Sequence, residues 1–456
     1  MEKVLFMENN MTEGSPLRMI IKFMVPLFLG NIFQQFYNMV DAVIVGKFVG
    51  ADALAAVGST GTIMFLVIGL ASGITTGFTV LTSQKFGAGD REGTRKSAAN
   101  GIILSGIIVL ILTVLSLSFM KTLLKIMNTP SNIFDDAYSY ITVICGGIVT
   151  IVYYNLFSSL LRAIGNSRVP LFFLILSAIL NIVLDLVFIV NMKMGVAGAA
   201  WATDVSQGIS AILCLVYIIL KIPVLTPSKE QWRLDHKYTM SQLAIGLPMG
   251  LQFGITASGT MIMQTAINMF GSVAVAGFTA ASKVQNLLTQ GMMAIGQTMA
   301  AYTGQNYGKG DLRRVEKGTW DAMKIMAVYS VVSGLIAVFC LPVLMSMFFS
   351  SSVSLDELLP WGRTYIYISV IFYIPLAMIF VYRNVMQGCG FSLTAMSLGI
   401  IEFFARFITA MISMKVHSYA LAVGSDPAAW LIAGIASFIL YRNMMKKLEA
   451  RMGDRK

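Results

Sequence analysis

A run such as SGIIVLILTVLSLSF, residues 105–119, is apolar all round. A helix needs about 20 such residues to cross a hydrocarbon core roughly 30 Å thick. Twelve candidate spans of that kind recur along the 456 residues, at roughly 17–46, 53–83, 95–120, 133–160, 169–192, 196–220, 241–270, 273–303, 315–349, 356–386, 392–414 and 428–445. Strands of a membrane barrel would instead alternate apolar and polar residues over pieces of about 10, so the spans are expected to be helices. Only 12% of the residues are charged, against about 25% in an ordinary soluble domain, and the mean hydropathy is +0.75. The sequence therefore reads as an all-α integral membrane protein.

The formal charge of +11 could suggest a nucleic-acid partner, but its placement gives another cause. With a cytoplasmic N-terminus, 24 of the 33 Lys and Arg fall in cytoplasmic tails and connections, 6 in external connections and 3 within spans. This is the positive-inside pattern. An even number of spans then places both termini in the cytoplasm, and the plasma (bacterial inner) membrane is the expected location. The opening MEKVLFMENNMTEGSP is too polar for a signal-peptide core.

Several chemistries find no support. Cys145, Cys214, Cys340 and Cys389 lie in or beside apolar spans without a CxxC pair. The two histidines, His236 and His417, fall in connections, and neither a P-loop nor a dinucleotide-binding GxGxxG occurs. No nucleophile–base or metal constellation stands out, so an enzyme is not expected and no cofactor is implied.

A shift of 221 residues lays TSQKFGAGDREGTRK (82–96) over TGQNYGKGDLRRVEK (303–317), matching Thr82, Gln84, Gly87, Gly89, Asp90 and Lys96 to Thr303, Gln305, Gly308, Gly310, Asp311 and Lys317. The same shift lays Gly50 over Gly271 and Leu66 over Leu287. The chain is a duplication. Six spans per copy is an even number, so the copies enter the membrane in the same orientation and a pseudo-two-fold axis along the membrane normal is expected. The polar connection 221–240 divides an N-lobe, 1–220, from a C-lobe, 241–456. Pro26 and Pro248 stand at nearly equivalent places in the first span of each copy, either as bending points or as fixed kinks.

Asp41 stands well inside the first apolar run, and a lone carboxylate at the bilayer centre costs roughly 3 kcal/mol or more. Its face is polar. Gln34, Asn38 and Asp41 recur at i, i+4 and i+7, with Tyr37 beside them. Ser177, Asn181 and Asp185 form a second stripe in span five, and Thr203, Gln207 and Ser210 a third in span six. Two carboxylates near each other raise one another's pKa, so one can take a proton while Asn181 and Thr203 supply neutral oxygens; Na⁺ would use the same oxygens of Asp41, Asn181 and Asp185. Alternatively each aspartate pairs with a neighbouring donor as a structural contact, although no Lys or Arg stands in the membrane-buried part of these three spans.

In the C-lobe the corresponding stripe is Gln252, Thr256 and Thr260, without a carboxylate. Glu402 precedes Arg406 by one turn, the favoured order for a helical ion pair, and is expected to be structural. Asp204 points about 100° away from Thr203 and would face another helix, while Lys283 would line a cleft or reach to the interface. Methionine is abundant at 31; Met263 and its neighbours in spans seven and eight would suit either a pocket that repacks around varied apolar ligands or an ordinary core.

The motifs VPLFLGNIFQQFYNMVDAVIVGKFVGADALAAVG, TSQKFGAGD, LRAIGNSRVPL and NIVLDLVFI, within two six-span copies, resemble the multidrug and toxic compound extrusion (MATE) family over the whole chain. The resemblance implies an antiporter that expels small, drug-like and often cationic molecules in exchange for H⁺ or Na⁺, acting as a monomer among membrane lipids. By motif position Asp41, Asn181, Asp185 and Thr203 match the family's cation-coupling site. Gln34, Tyr37, Asn38, Ser177, Gln207, Gln252, Thr256, Met263 and Lys283 are the expected cavity residues. Thr256 stands where the NorM-like branch carries an acidic residue, which favours the DinF-like branch. The alternatives are a lipid-linked saccharide flippase, which would be expected to need cationic residues in its cavity, and a metabolite exporter of the same superfamily.

Overall fold

The computed structural model describes residues 10–127, 129–347 and 355–453; Lys3, Arg455 and Lys456 of the basic residues counted above lie outside them. Every regular element among the described residues is a helix. The first copy contains α1 (Pro16–Phe48), α2 (Ala51–Gly87), α3 (Arg91–Ile126), α4 (Phe134–Gly146), α5 (Ile148–Ala163), α6 (Arg168–Asp185) and α7 (Val196–Lys221). The second contains α8 (His236–Asn268), α9 (Ser272–Leu288), α10 (Gln290–Lys309), α11 (Leu312–Phe339), a short α12 (Leu341–Ser346), α13 (Leu355–Ile371), α14 (Tyr373–Gly388), α15 (Ser392–Val416), a short α16 (Tyr419–Val423) and α17 (Ser425–Gly453).

Eight of these helical stretches are long and apolar enough to cross a membrane, and two bent pairs, α4 with α5 and α13 with α14, pass together. The two remaining expected spans correspond to α8 and to α9 with α10, whose sequences are more polar. Among the described residues the fold is all-α, and its helices match the twelve expected spans, six in each copy. Its outer surface is strongly apolar: Leu110, Ile371 and Phe339 are 65%, 72% and 77% exposed, a cost in water but not against lipid. α1 and α8 run through Pro26 and Pro248 without a break.

The duplication is visible in the turns. Asp90 and Asp311 each cap a helix, accepting from the Gly93 amide at 2.8 Å and the Arg314 amide at 2.9 Å. Each follows a glycine with positive φ, Gly89 at 74° and Gly310 at 82°, a conformation that a Cβ disfavours. One sequence pattern, glycine then aspartate, therefore stops one helix and starts the next in both copies.

By packing, the chain forms two compact units. The first holds Val25–Gly254 with Gly304–Gly310 and the described residues up to Glu13; the second holds Gly14–Met24, Ile255–Thr303 and the chain from Asp311 on. Within the first unit α2 and the start of α8 meet through glycines. A Cβ on Gly77 would lie 2.5 Å from the Gly246 Cα, and one on Gly73 2.9 Å from the Gly250 Cα. Small residues four apart on both helices let the backbones approach, the packing device of membrane helices. At the end of α2 a Cβ on Gly87 would collide with the Gln305 carbonyl, and one on Gly308 with the Gln84 carbonyl; the two contacts are repeat images of each other. The Gln305 side chain accepts from the Met11 amide and donates to the Ala163 carbonyl, both at 2.8 Å. The second unit is built on an apolar core that includes Met263, Phe278, Tyr365, Met345 and Val423.

Candidate functional site

The α1 face predicted from spacing is present: Gln34 and Asn38 are exposed, whereas Tyr37 and Asp41 are half-buried. The Tyr37 hydroxyl lies beside Gln34 and Gln207, so α1 and α7 meet through polar side chains. Oδ1 of Asp41 is buried without a hydrogen-bond partner.

Across from it, α6 carries Ser177, Asn181 and Asp185 on one face, all buried. Asp185 is the last α-helical residue before a π-helical segment, Leu186–Asn191. Such widened turns leave the backbone irregular and concentrate at functional positions. The Asn181 amide donates to the Thr203 hydroxyl at 3.4 Å, which ties α6 to α7 and leaves the Asn181 carbonyl oxygen buried. That oxygen, both oxygens of Asp185, and the Ser177 hydroxyl find no partner.

The carboxyl groups of Asp41 and Asp185 lie within direct reach of each other. Two ionised carboxylates have acceptors only, so nothing between them can form a hydrogen bond until one carries a proton. A single shared proton would supply the missing donor. A sodium ion would use the same surplus of oxygens, since a hard cation needs several oxygens and no donors. The first unit thus holds a cluster of buried acceptors, and among the described residues no basic side chain is ion-paired to it.

Of the other expected residues, Gln207 belongs to the same cluster, and its Oε1 is buried without a partner. Gln252 and Thr256 are half-buried on α8, at the end of the first unit and the start of the second. Met263 is 5% exposed in the apolar core of the second unit, and Lys283 is exposed on α9. Asp204 is buried and faces Gly147, the single residue between α4 and α5.

Sequence reasoning missed Tyr140 of α4. It is 4% exposed and close enough to Asp41, Asp185 and Asp204 to sense their charges. The same helix carries Asp135, Asp136, Tyr138 and Thr142, so residue type alone did not single it out.

The second unit differs in charge balance. Glu402 receives Arg383 at 3.0 Å on one oxygen and Arg406 at 3.4 Å on the other, and Arg406 also binds Asp426 at 2.6 Å. Two arginines and two carboxylates from α14, α15 and α17 therefore neutralise one another. The i, i+4 pair read from the sequence is part of this larger network; Arg383 and Asp426 were not anticipated, because they come from helices distant in sequence. Gly259 of α8 leaves space against it, since a Cβ there would lie 3.2 Å from the Arg406 side chain.

Known proteins share this architecture. The chain is 30% identical to a probable multidrug resistance protein, YpnP, of Bacillus subtilis (strain 168), over 94% of its length and 96% of the relative's. It is 25% identical to a probable multidrug resistance protein, NorM, of Thermotoga maritima, over 94% of this chain and 91% of that one. Among solved structures, a MATE transporter in complex with MaL6 superposes with a TM-score of 0.89 at 22% identity, covering 97% of this chain and 99% of the other. The MatE family profile matches residues 26–187 and 248–422, one stretch in each copy. With a profile match in both copies and near-complete coverage by a relative, the chain belongs to the MatE family of membrane transporters.

Proposed function

We propose that the protein expels small, drug-like and often cationic organic molecules from the cell by antiport against H⁺ or Na⁺, coupled through the Asp41–Asp185 cluster. The observation that carries this reading is the set of buried oxygens without donors on Asp41, Asn181 and Asp185. A structural role would have given them partners, because unsatisfied buried polar groups cost free energy. A cation that arrives and leaves within each cycle accounts for their being unsatisfied.

The coupling follows from charge. With the cluster ionised, water and any cationic substrate are held near α1, α6 and α7. Proton or Na⁺ binding removes the charge, allows these helices to repack and releases the drug. Such a cycle needs a cation that binds the two states of the transporter with different affinity. Tyr37, Gln34, Asn38, Ser177 and Gln207 offer polar contacts for the substrate beside it, with Thr203 fixing Asn181. Placing the coupling site in the first copy agrees with the DinF-like branch, and the self-neutralised network of the second copy offers no comparable acceptor set. The names of the relatives support the substrate class.

Reconstitution in liposomes, with pH and sodium gradients imposed separately, tests the proposal. Efflux of a fluorescent cation driven by one gradient is expected; efflux indifferent to both would overturn it. The basic residues favour cytoplasmic termini, in the plasma membrane. In a cysteine-free background, a cysteine replacing Lys47 should then react with an impermeant thiol reagent from outside, and one replacing Lys229 only after permeabilisation. Reaction of both from one side would overturn the orientation.

A further inference from the structure

Thr203 and Asp204 are neighbours on α7 but serve different partners. Thr203 faces α6 through Asn181, whereas the Asp204 carboxyl occupies the space that a Gly147 side chain would fill: a Cβ there would collide with it. Gly147 is the only residue between α4 and α5, whose axes differ by 46°. Asp204 is 3% exposed, and neither of its oxygens has a hydrogen-bond partner.

The groups around it do not compensate its charge. From α4, Tyr140 and Cys145 are the titratable side chains that sense it. On α5, Tyr153 and Tyr154 donate to the Ile102 and Pro170 carbonyls and Arg162 to Ser159, so none of the three is bound to it. On α6, Asp185 interacts with Asp41. The π-helical segment and the Pro223–Leu225 turn packed against α7 carry no ionisable residue. An ionised carboxylate sealed from water without a donor is too costly to persist, and such a group stays neutral instead.

From this we infer that Asp204 is a proton-binding site of the transporter, separate from the Asp41–Asp185 cluster and seated in a slot made by the helix break at Gly147. On release the carboxyl O–H bond breaks, the electron pair stays on the carboxylate and the proton passes to water. The ionised form then lacks a donor in the slot, so release requires water or the first amides of α5 to enter the α4–α5 break. Proton occupancy at Asp204 is thereby linked to the conformation of the bent span. Neither drug nor gradient enters the inference, so it stands or falls apart from the coupling role of Asp41 and Asp185.

The test is infrared spectroscopy of the full-length protein in nanodiscs, titrated with acid and base, on the double variant Asp41→Asn, Asp185→Asn. One protonated-carboxyl band that fades on alkalinisation is expected to remain, and to disappear when Asp204→Asn is added. Should that variant fail to fold, Gly147→Ala, which crowds the slot, must shift the band's frequency or midpoint. The inference is overturned if the double variant has no titrating carboxyl band, or if the band is indifferent to the available change at Asp204 or Gly147.

Discussion

Three carboxylates of the first copy, Asp41, Asp185 and Asp204, have no basic partner among the described residues, whereas in the second copy Glu402 is held by two arginines and Asp426 by one. Both arrangements answer the same physical problem, the cost of removing charge from water. Ion pairing answers it permanently, because the charges cancel within the protein. A surplus of acceptors leaves room for the mobile cation of the proposed function. The two copies are similar helix sets, and the difference in charge balance is what the proposed function rests on: cation exchange in the first copy, a fixed scaffold in the second.

The largest effect should come from the first copy. Asp41→Asn and Asp185→Asn are each expected to abolish drug resistance conferred on sensitive bacteria while leaving membrane expression intact, since a neutral amide removes the proposed cation site without adding bulk. Resistance and expression assays on the same cultures check this. Asp41→Glu should retain part of the activity, because the titrating group persists on a longer side chain.

In the second copy the same kind of change should act on folding. Glu402→Gln leaves Arg383 and Arg406 short of a counter-charge, and breaking a buried pair costs about 3–5 kcal/mol. Expression and thermal stability should fall, while the protein that survives still exchanges. Normal expression with lost exchange would move Glu402 into the mechanism and dissolve the contrast between the copies.

The smallest effect concerns a feature that the copies share. Asp90→Ala and Asp311→Ala each remove a helix cap, worth about 1 kcal/mol, and should lower stability alike at neutral pH. The Asp90 carboxyl is held below the usual carboxylate range, first by the Gly93 amide and then by Lys85. A depressed native value means that its contribution is present above the unfolded value of about 3.9 and is lost as pH falls through the native one. The Asp90→Ala deficit should therefore shrink on acidification below that value, as thermal unfolding across pH would reveal. Solvent keeps the ion-pair part small.

Much of this was legible in the sequence. Apolar runs near 20 residues predict the helices, and the polar stripes at Gln34–Asn38–Asp41 and Ser177–Asn181–Asp185 do fall on single faces, because the 3.6-residue period is local. The 221-residue shift paired Gly89–Asp90 with Gly310–Asp311, and the structure shows that both pairs form the same turn and cap. The break at Gly147 and the π-helical turn after Asp185 were not read from the sequence, since each lies inside a stretch long and apolar enough to pass as one span. Nor were the partners of Arg406. Periodicity tells which residues share a face but not which helix packs against it, and Arg383 and Asp426 are brought in by tertiary packing alone. Asp204 illustrates both limits: its direction away from Thr203 followed from helical geometry, while its seat against Gly147 required the fold.

The most direct measurement is drug flux in proteoliposomes containing wild type or Asp41→Asn, compared under an imposed pH or sodium gradient and under simple exchange of labelled for unlabelled drug. The account expects Asp41→Asn to exchange drug without a gradient yet to lose gradient-driven accumulation entirely, because binding survives while the site that cation and substrate compete to control is gone. Gradient-driven transport by Asp41→Asn at the wild-type rate would contradict it.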